Sequence, residues 1–524
     1  MQAVTRIREP ISKRIMRNTA YNAVGRLWLI GTNLLLAPLL LSYLGQDRFG
    51  VWVLFWSLIQ YCLLLDLGVG ASLVKYFSEF EAKGDVRSVN RVLASTITVY
   101  IVVGVALVLL LWPLVAWLSS FFSIPQDLRQ EATVTFQLGL VAFFLINLVS
   151  IFDGLLKGFQ RMDLVNLTLI AVSIPNLLGS YLVLRLGWGL LGLVMVVVIV
   201  YVLQLFLFVL QARSVCPGLT CNRRDVRFET LRLLFGYGAR LQIARLANLV
   251  SYQTDKILLG LFVPLRYVTF YDLGSKVSYV THELPHVMLG ALLPAASELS
   301  GNADHTRLWT MYERGTKYLF LFSIPALIGI WLTAHLVLQA WLGHVSSDVH
   351  LAVVLLSTGY WAVVSVGMVT TVGAGIGWVG PLMRTSLIQG GLNLLLSLAL
   401  IIPFGYVGVL VGTTTALILS NGYLLALFCR DFNRPLRDHA RLAGRIFLLN
   451  IPPVIVSLPA VLLLSGWVKG GGRGVAFVAL LGCVILYGIV YLATIRMAGL
   501  LDRGDRDLLG DYLPLIHALI RKSG

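Results

Sequence analysis

The chain alternates long apolar runs with short polar joints. Apolar runs of about twenty residues or more recur near 20–44, 50–74, 92–118, 132–156, 164–184, 189–212, 236–262, 267–293, 318–342, 350–374, 382–402, 407–429, 446–465 and 474–495. As a helix, each is long enough to cross a hydrocarbon core of roughly 30 Å. Backbone groups in lipid must be paired within the protein, and the alternating ten-residue segments of a closed barrel are absent. The pattern predicts an all-α polytopic membrane protein of about 14 transmembrane helices.

The polar joints carry a second pattern. Phe49-Gly50-Val51-Trp52 returns as Tyr267-Val268-Thr269-Phe270, and Ser78-Glu79-Phe80 as Ser297-Glu298-Leu299. Gly154-x-x-x-Gly158 returns as Gly373-x-x-x-Gly377, Gly189-x-x-Gly192 as Gly405-x-x-Gly408, and Arg26-Leu27 as Arg245-Leu246. The offsets stay near 219 residues. Six spans separate the copies, so both halves keep one membrane orientation, as in parallel-repeat transporters. The expected layout is a six-helix bundle over 1–212, a cytoplasmic linker over 213–235 and a second bundle over 236–429. Two additional transmembrane helices follow over 430–497, then a cytoplasmic amphipathic tail over 498–524. The bundles are expected to be related by a parallel pseudo-two-fold repeat.

Composition agrees. The 524 residues are 58% hydrophobic and 13% charged, with a mean hydropathy of +0.83; a soluble chain carries about 25% charge. The net charge of +16 would suit nucleic acid, but its placement points elsewhere. With the N-terminus inside, inner segments hold 29 of the 41 Lys and Arg, against 6 in outer turns and 6 in spans. That bias places both termini in the cytoplasm and sets a basic face beside anionic lipid. No nucleic-acid partner is expected. The basic N-terminus is followed by no small-residue cleavage site, so the first span is expected to be retained. Five cysteines, three within spans, suggest neither a disulfide framework nor a metal site. No cofactor and no enzymatic activity are expected.

Charge inside a span costs about 2.5–3.5 kcal/mol per residue on insertion scales, so each case needs a reason. Asn18, Asn22, Arg26 and Asn33 share one face of the first span. The seventh span carries Gln242, Arg245, Asn248, Tyr252 and Asp255 in a continuous stripe. The eighth carries Asp272, Ser275, Tyr279, His282 and His286, with Lys276 and Glu283 alongside. Such stripes line a cavity or face each other. Plainer readings stand beside this one. Asp272 and Lys276 at i,i+4 can neutralise each other, while Lys256 and Arg26 can snorkel. His282 and His286 have a spacing that can bind metal, but no further ligand pattern accompanies them. Asp66 can pair with a neighbouring helix or take a proton. Gly68, Gly70, Gly154 and Gly158 read as packing positions.

The run Tyr43-Leu44-Gly45 … Phe49-Gly50-x-Trp52, then Leu65-Asp66-Leu67-Gly68-x-Gly70-x-Ser72-Leu73-x-Lys75-Tyr76, resembles the amino-terminal signature of bacterial polysaccharide flippases. These are the O-antigen and exopolysaccharide members of the multidrug/oligosaccharidyl-lipid/polysaccharide superfamily. Thr254–Gly260 and Gly373–Pro403 are also similar to that family. The resemblance implies two bundles around a central cavity with alternating access. It implies undecaprenyl-diphosphate-linked oligosaccharide as cargo, moved from the inner to the outer leaflet of the bacterial cytoplasmic membrane for O-antigen or exopolysaccharide synthesis. The related lipid II flippases have two extra carboxy-terminal helices that contribute to a groove for the lipid tail. This chain has the extra pair too.

Arginine forks suit phosphate oxygens, so Arg26 and Arg245 are the expected diphosphate ligands. Asn22, Asn33, Asp66, Lys75, Asn248, Asp255, Lys256, Asp272, Lys276 and Glu283 are the candidates for the polar cavity and for coupling to H+ or Na+. Membrane lipids and the polysaccharide polymerase machinery are the other partners considered. A drug/cation antiporter of the same superfamily is the main alternative, although its cavity should favour carboxylates. A membrane glycosyltransferase or polymerase would need a sizeable outer loop, and every outer turn here is short.

Overall fold

The computed structural model describes residues 11–66, 68–468 and 472–500. Most of the expected amphipathic tail lies outside the described residues. Among those described, the regular structure is entirely helical. Ten helical segments are long and apolar enough to cross a membrane. The chain is therefore a multi-pass membrane protein.

The first helix, α1 (Ile11–Cys62), contains a break at Gly45, whose φ of 72° turns the chain where the sequence predicts the first tight turn. The second expected span is not one helix. It runs through the second limb of α1, a 3-10 turn at Leu63–Asp66, and then α2 (Val69–Ala82). The interruption follows from Asp66, which accepts from the amides of Gly68 at 2.6 Å and Gly70 at 3.3 Å. A carboxylate there satisfies amides that open a new helix. Gly68 takes the left-handed conformation (φ 78°) that this break requires. The first half continues with α3 (Val86–Ser119), α4 (Arg129–Gly158), α5 (Met162–Arg185) and α6 (Gly189–Val215).

Next come α7 (Phe228–Phe262) and α8 (Arg266–Gly301), as long as their neighbours but carrying the polar stripes. They are followed by α9 (His305–Leu342), α10 (Ser347–Ser365), α11 (Gly367–Gly375) and α12 (Val379–Asp431), the last broken at Gly405 with φ 55°. The chain ends with α13 (Leu436–Leu449), α14 (Ile451–Val468) and α15 (Gly472–Met497). With α1 and α12 divided at their glycines, the architecture is compatible with the fourteen spans expected.

The repeat is visible in local backbone geometry. Gly189 and Gly405 have φ of 56° and 55°, each opening a long apolar segment. Asp85 caps α3 by accepting from the Ser88 amide, and Asp304 caps α9 by accepting from the Arg307 amide. The residues before them, Gly84 and Ala303, both have positive φ. This pair of caps repeats at the same 219-residue offset.

The helices form two compact units. The first comprises residues 1–273 and 386–416. In it α4 packs against α2, α3 and α6, α5 against α1 and α6, and α7 against α1 and α2. Gly154 and Gly158 are packing positions: a Cβ at Gly158 would lie 2.7 Å from the Phe77 Cβ, and one at Gly154 3.0 Å from the Leu73 Cβ. α2 and α7 meet backbone to backbone at Gly68 and Gly238, where Ser72 Oγ also donates to the Leu234 carbonyl at 2.8 Å. The second unit comprises 274–385 and 417–524. There α9 is the centre, touching α10, α11, α13, α14 and α15. Its counterpart of the Gly158 contact with Phe77 is shifted by two residues: Gly375 packs on Ala296, while Gly377 turns the chain with φ 78°.

Candidate functional site

Several described side chains of α7 are engaged within the first unit. Near the middle of α7, Gln242 Nε2 donates to the Leu64 carbonyl at 2.7 Å. Further along, Gln253 accepts from Ser57, and Thr254 is hydrogen-bonded to the Tyr61 hydroxyl. Asp255 is the centre. Its side chain is fully buried and surrounded by donors: Tyr271 Oη at 2.6 Å, Thr413 Oγ1 at 2.7 Å, Ser397 Oγ at 3.0 Å and Asn393 Nδ2 at 3.4 Å.

Three helices build this shell. Asp255 comes from α7 and Tyr271 from α8, while Asn393 and Ser397 stand one turn apart on the first limb of α12. Thr413 reaches in from the second limb. The Gly405 break folds α12 back on itself, and glycines let its limbs close: a Cβ at Gly412 would lie 2.9 Å from the Ser397 amide nitrogen, and one at Gly408 2.0 Å from the Leu400 carbonyl oxygen. Asn393 Nδ2 also reaches Thr413 Oγ1 at 3.1 Å, whereas Asn393 Oδ1 is buried without a hydrogen-bond partner. Reading the sequence found Asp255 and missed Tyr271, Asn393, Ser397 and Thr413. The available signal was the i,i+4 pair Asn393/Ser397 inside an apolar span.

One residue on, Lys256 does not snorkel. It donates to Asp272 at 2.9 Å, with both side chains largely buried. Asp272 is thus held by a cross-helix partner as well as standing near Lys276 in sequence. On α1, Asn22 accepts from Asn166 Nδ2 at 2.8 Å, Asn33 is exposed and Arg26 is exposed. The side chains of Arg245 and Asn248 lie outside the described residues. Asp66 serves the cap described above. Lys75 is exposed on α2, its ammonium 4.7 Å from the Tyr76 ring centre.

In the second unit Lys276 is half-buried and Glu283 buried. The His282 Nδ1 lies 3.6 Å from Glu283, and the His282 and His286 rings are 4.3 Å apart. No group of three or more His, Cys, Asp or Glu capable of holding a metal occurs among the described residues.

The second unit also holds a groove of about 670 Å³ between α9 and α15. Phe322, Pro325 and Gly329 face Val484, Gly488 and Leu492 across it, and Arg496 lies among its lining residues. A Cβ at Gly329 or Gly488 would meet nothing within 4 Å, so these positions widen the groove instead of closing a contact. Tyr491 ties the walls together by donating to the Leu321 carbonyl at 2.8 Å.

Residues 40–350 match the family described as polysaccharide biosynthesis protein. The chain belongs to that family. This polysaccharide biosynthesis protein is also 21% identical over 287 residues to a Salmonella typhi protein whose name assigns it to O-antigen transport. That alignment covers 53% of this chain and 63% of the relative, so the chain spans less than two thirds of the relative's length. Among solved structures it is similar to the lipid II flippase MurJ in an inward closed conformation, with a TM-score of 0.68 and 14% identity over 92% of this chain and 99% of that one. It is likewise similar to an inward-facing multidrug resistance MATE transporter of the MOP superfamily, with a TM-score of 0.67 and 14% identity over 79% of this chain and 95% of that one. The polysaccharide biosynthesis protein thus has the fold of these transporters.

Proposed function

We propose that this protein is a flippase that carries undecaprenyl-diphosphate-linked oligosaccharide from the inner to the outer leaflet of the bacterial cytoplasmic membrane by alternating access, with both termini cytoplasmic. The observation that carries this reading is how far along the chain each likeness extends. The multidrug-transporter fold covers 79% of the chain, whereas the lipid II flippase fold covers 92%. One wall of the apolar groove is α15, which lies in the additional helices expected over 430–497, and such a groove suits a prenyl tail. Family membership and the O-antigen relative point the same way.

On this reading Arg26 and Arg245, at equivalent repeat positions, take the diphosphate, since forked guanidinium donors hold phosphate oxygens better than point charges do. Moving about two negative charges outward down an inside-negative potential of about 100 mV releases roughly 4–5 kcal/mol. The return of the empty carrier is the step that needs coupling, and Asp255 is its candidate centre. Three hydroxyls around a buried carboxylate can turn their lone pairs toward a hard cation, which prefers oxygen ligands. The unpaired Asn393 Oδ1 adds an acceptor that a proton on Asp255 alone leaves unsatisfied. Na+ therefore fits this shell better than H+.

The test is deletion of the gene in its source strain. The expected result is loss of a surface glycan together with accumulation of its lipid-linked precursor on the inner leaflet, both reversed by the wild-type chain. Unchanged surface glycan combined with lost resistance to cationic drugs would overturn the reading in favour of a drug antiporter.

A further inference from the structure

We propose that a second cavity, inside the first unit, is a subsite for one neutral sugar ring of the cargo. The proposal rests on the flippase reading and extends it to the glycan. The cavity lies between α1, α5 and α6 and has a volume of about 170 Å³. Asn33, Ser173, Asn176, Tyr201 and Gln204 bring polar atoms to it, and Trp56 adds an aromatic wall.

Three observations select the ligand class. First, no lining residue is charged. A cationic drug would lack a carboxylate there, and a diphosphate would lack an arginine or lysine. Second, polar atoms are left over. Ser173 is satisfied, accepting from Trp28 Nε1 and donating to the Ile170 carbonyl, both at 2.7 Å. By contrast, Asn176, Tyr201 and Gln204 make no side-chain hydrogen bond among the described residues, although Gln204 is only 7% exposed. Unpaired amides at membrane depth are costly. Two amides and a phenol offer mixed donors and acceptors, the complement of hydroxyls, each of which is both. Third, the size suits a small guest. Drug-sized sites begin at roughly 300 Å³, so this cavity admits a single ring.

The architecture holds these groups in place. Gln204 is fixed on α6 and Asn176 on α5, helices that pack tightly against each other. The Trp56 indole is braced edge-on by Trp52, with centres 5.9 Å apart, and by Phe55 at 5.3 Å. Asn33 is exposed on α1, so the cavity reaches the surface there. A ring can enter past Asn33 and stack its C–H face on Trp56 while Gln204 and Asn176 read its hydroxyls.

The experiment compares two lipids on the full chain in nanodiscs. One is bare undecaprenyl diphosphate; the other is the lipid-linked glycan accumulated by the source strain deleted for this gene. Wild-type protein is expected to bind the glycan-bearing lipid about tenfold more tightly, the gain from a few neutral hydrogen bonds. Gln204→Met keeps the side-chain length and removes the amide; Asn176→Leu does the same on α5. Both should bring the two lipids within about twofold while leaving affinity for the bare lipid unchanged, which also shows that the variants fold. Equal binding of both lipids by wild type, or full glycan preference in both variants, would overturn the subsite while leaving the flippase reading intact. Binding of neither lipid by wild type would remove both.

Discussion

The Asp255 shell makes a strong prediction about stability and cation binding together. Asp255→Ala removes the acceptor shared by Tyr271, Ser397, Thr413 and Asn393. Not all four are stranded. Thr413 can turn to the Val409 carbonyl, 2.9 Å away, and Asn393 keeps its contact with Thr413. Ser397 loses the acceptor described for its hydroxyl, and Tyr271 loses its bond to the carboxylate. A buried unsatisfied donor costs about 1–3 kcal/mol, so the alanine variant should be less stable by about that amount. Asp255→Asn retains a carbonyl acceptor and should lie well inside that range, yet it lacks the charge. The assay is thermal unfolding of purified protein with NaCl against an equal concentration of choline chloride. A cation bound only by the folded state at a hundred times its Kd adds about 2.7 kcal/mol. Wild type should therefore melt higher in sodium, and Asp255→Asn should melt at the same temperature in both salts. A sodium effect that survives in Asp255→Asn, or an alanine variant as stable as wild type, would refute the account.

Three other outcomes follow from different parts of the molecule. Gly238→Ala should destabilise, since its Cβ would sit 2.5 Å from the Gly68 carbonyl oxygen and backbone cannot yield cheaply; an overpacking cost of about 1–3 kcal/mol outweighs the helix-propensity gain of about 1. Gly236→Ala, with nothing within 4 Å, should show only the gain, and chemical denaturation of both variants checks the contrast. In the deletion strain, Arg26→Ala and Arg245→Ala should restore little surface glycan and the lysine variants an intermediate amount; full export by both alanine variants at normal abundance would remove the diphosphate site. Cysteines introduced at Gln46 or Ser347 should be labelled from outside intact cells and one at Asp225 should not, with labelling of Asp225 counting against the expected orientation.

Much of the fold was legible because lipid imposes a simple rule on sequence: spans are apolar, joints are not. Gly45, Gly189 and Gly405 could be read as joints because glycine takes the positive φ of each turn at little cost. The capped joints at Gly84-Asp85 and Ala303-Asp304 repeat just as faithfully, but share one residue type in two and so escaped notice. The second span looked continuous because its break is made by one carboxylate and two glycines inside an otherwise apolar run. Asp255 stood out as a charge in a span, whereas its partners did not. A lone Asn, Ser or Thr in a membrane helix usually bonds its own preceding turn, as Asn421 and Ser420 do. What gathers Asn393, Ser397 and Thr413 around Asp255 is the fold of α12 at Gly405, twenty residues of chain brought side by side. No periodicity encodes that.

The interruption between α1 and α2 has a mechanical consequence. Bending a continuous helix at membrane depth means breaking backbone hydrogen bonds with no water to replace them. Between α1 and α2 the amides of Gly68 and Gly70 are already held by a side chain that belongs to the same joint, Asp66. A change in the Gly68 dihedrals can therefore redirect α2 without breaking a helix ladder, provided its contacts with α4 and α7 give way together. The segment is articulated in its resting state, and what fastens α2 beside the joint is the short bond from Ser72 to the Leu234 carbonyl together with its packing on α4.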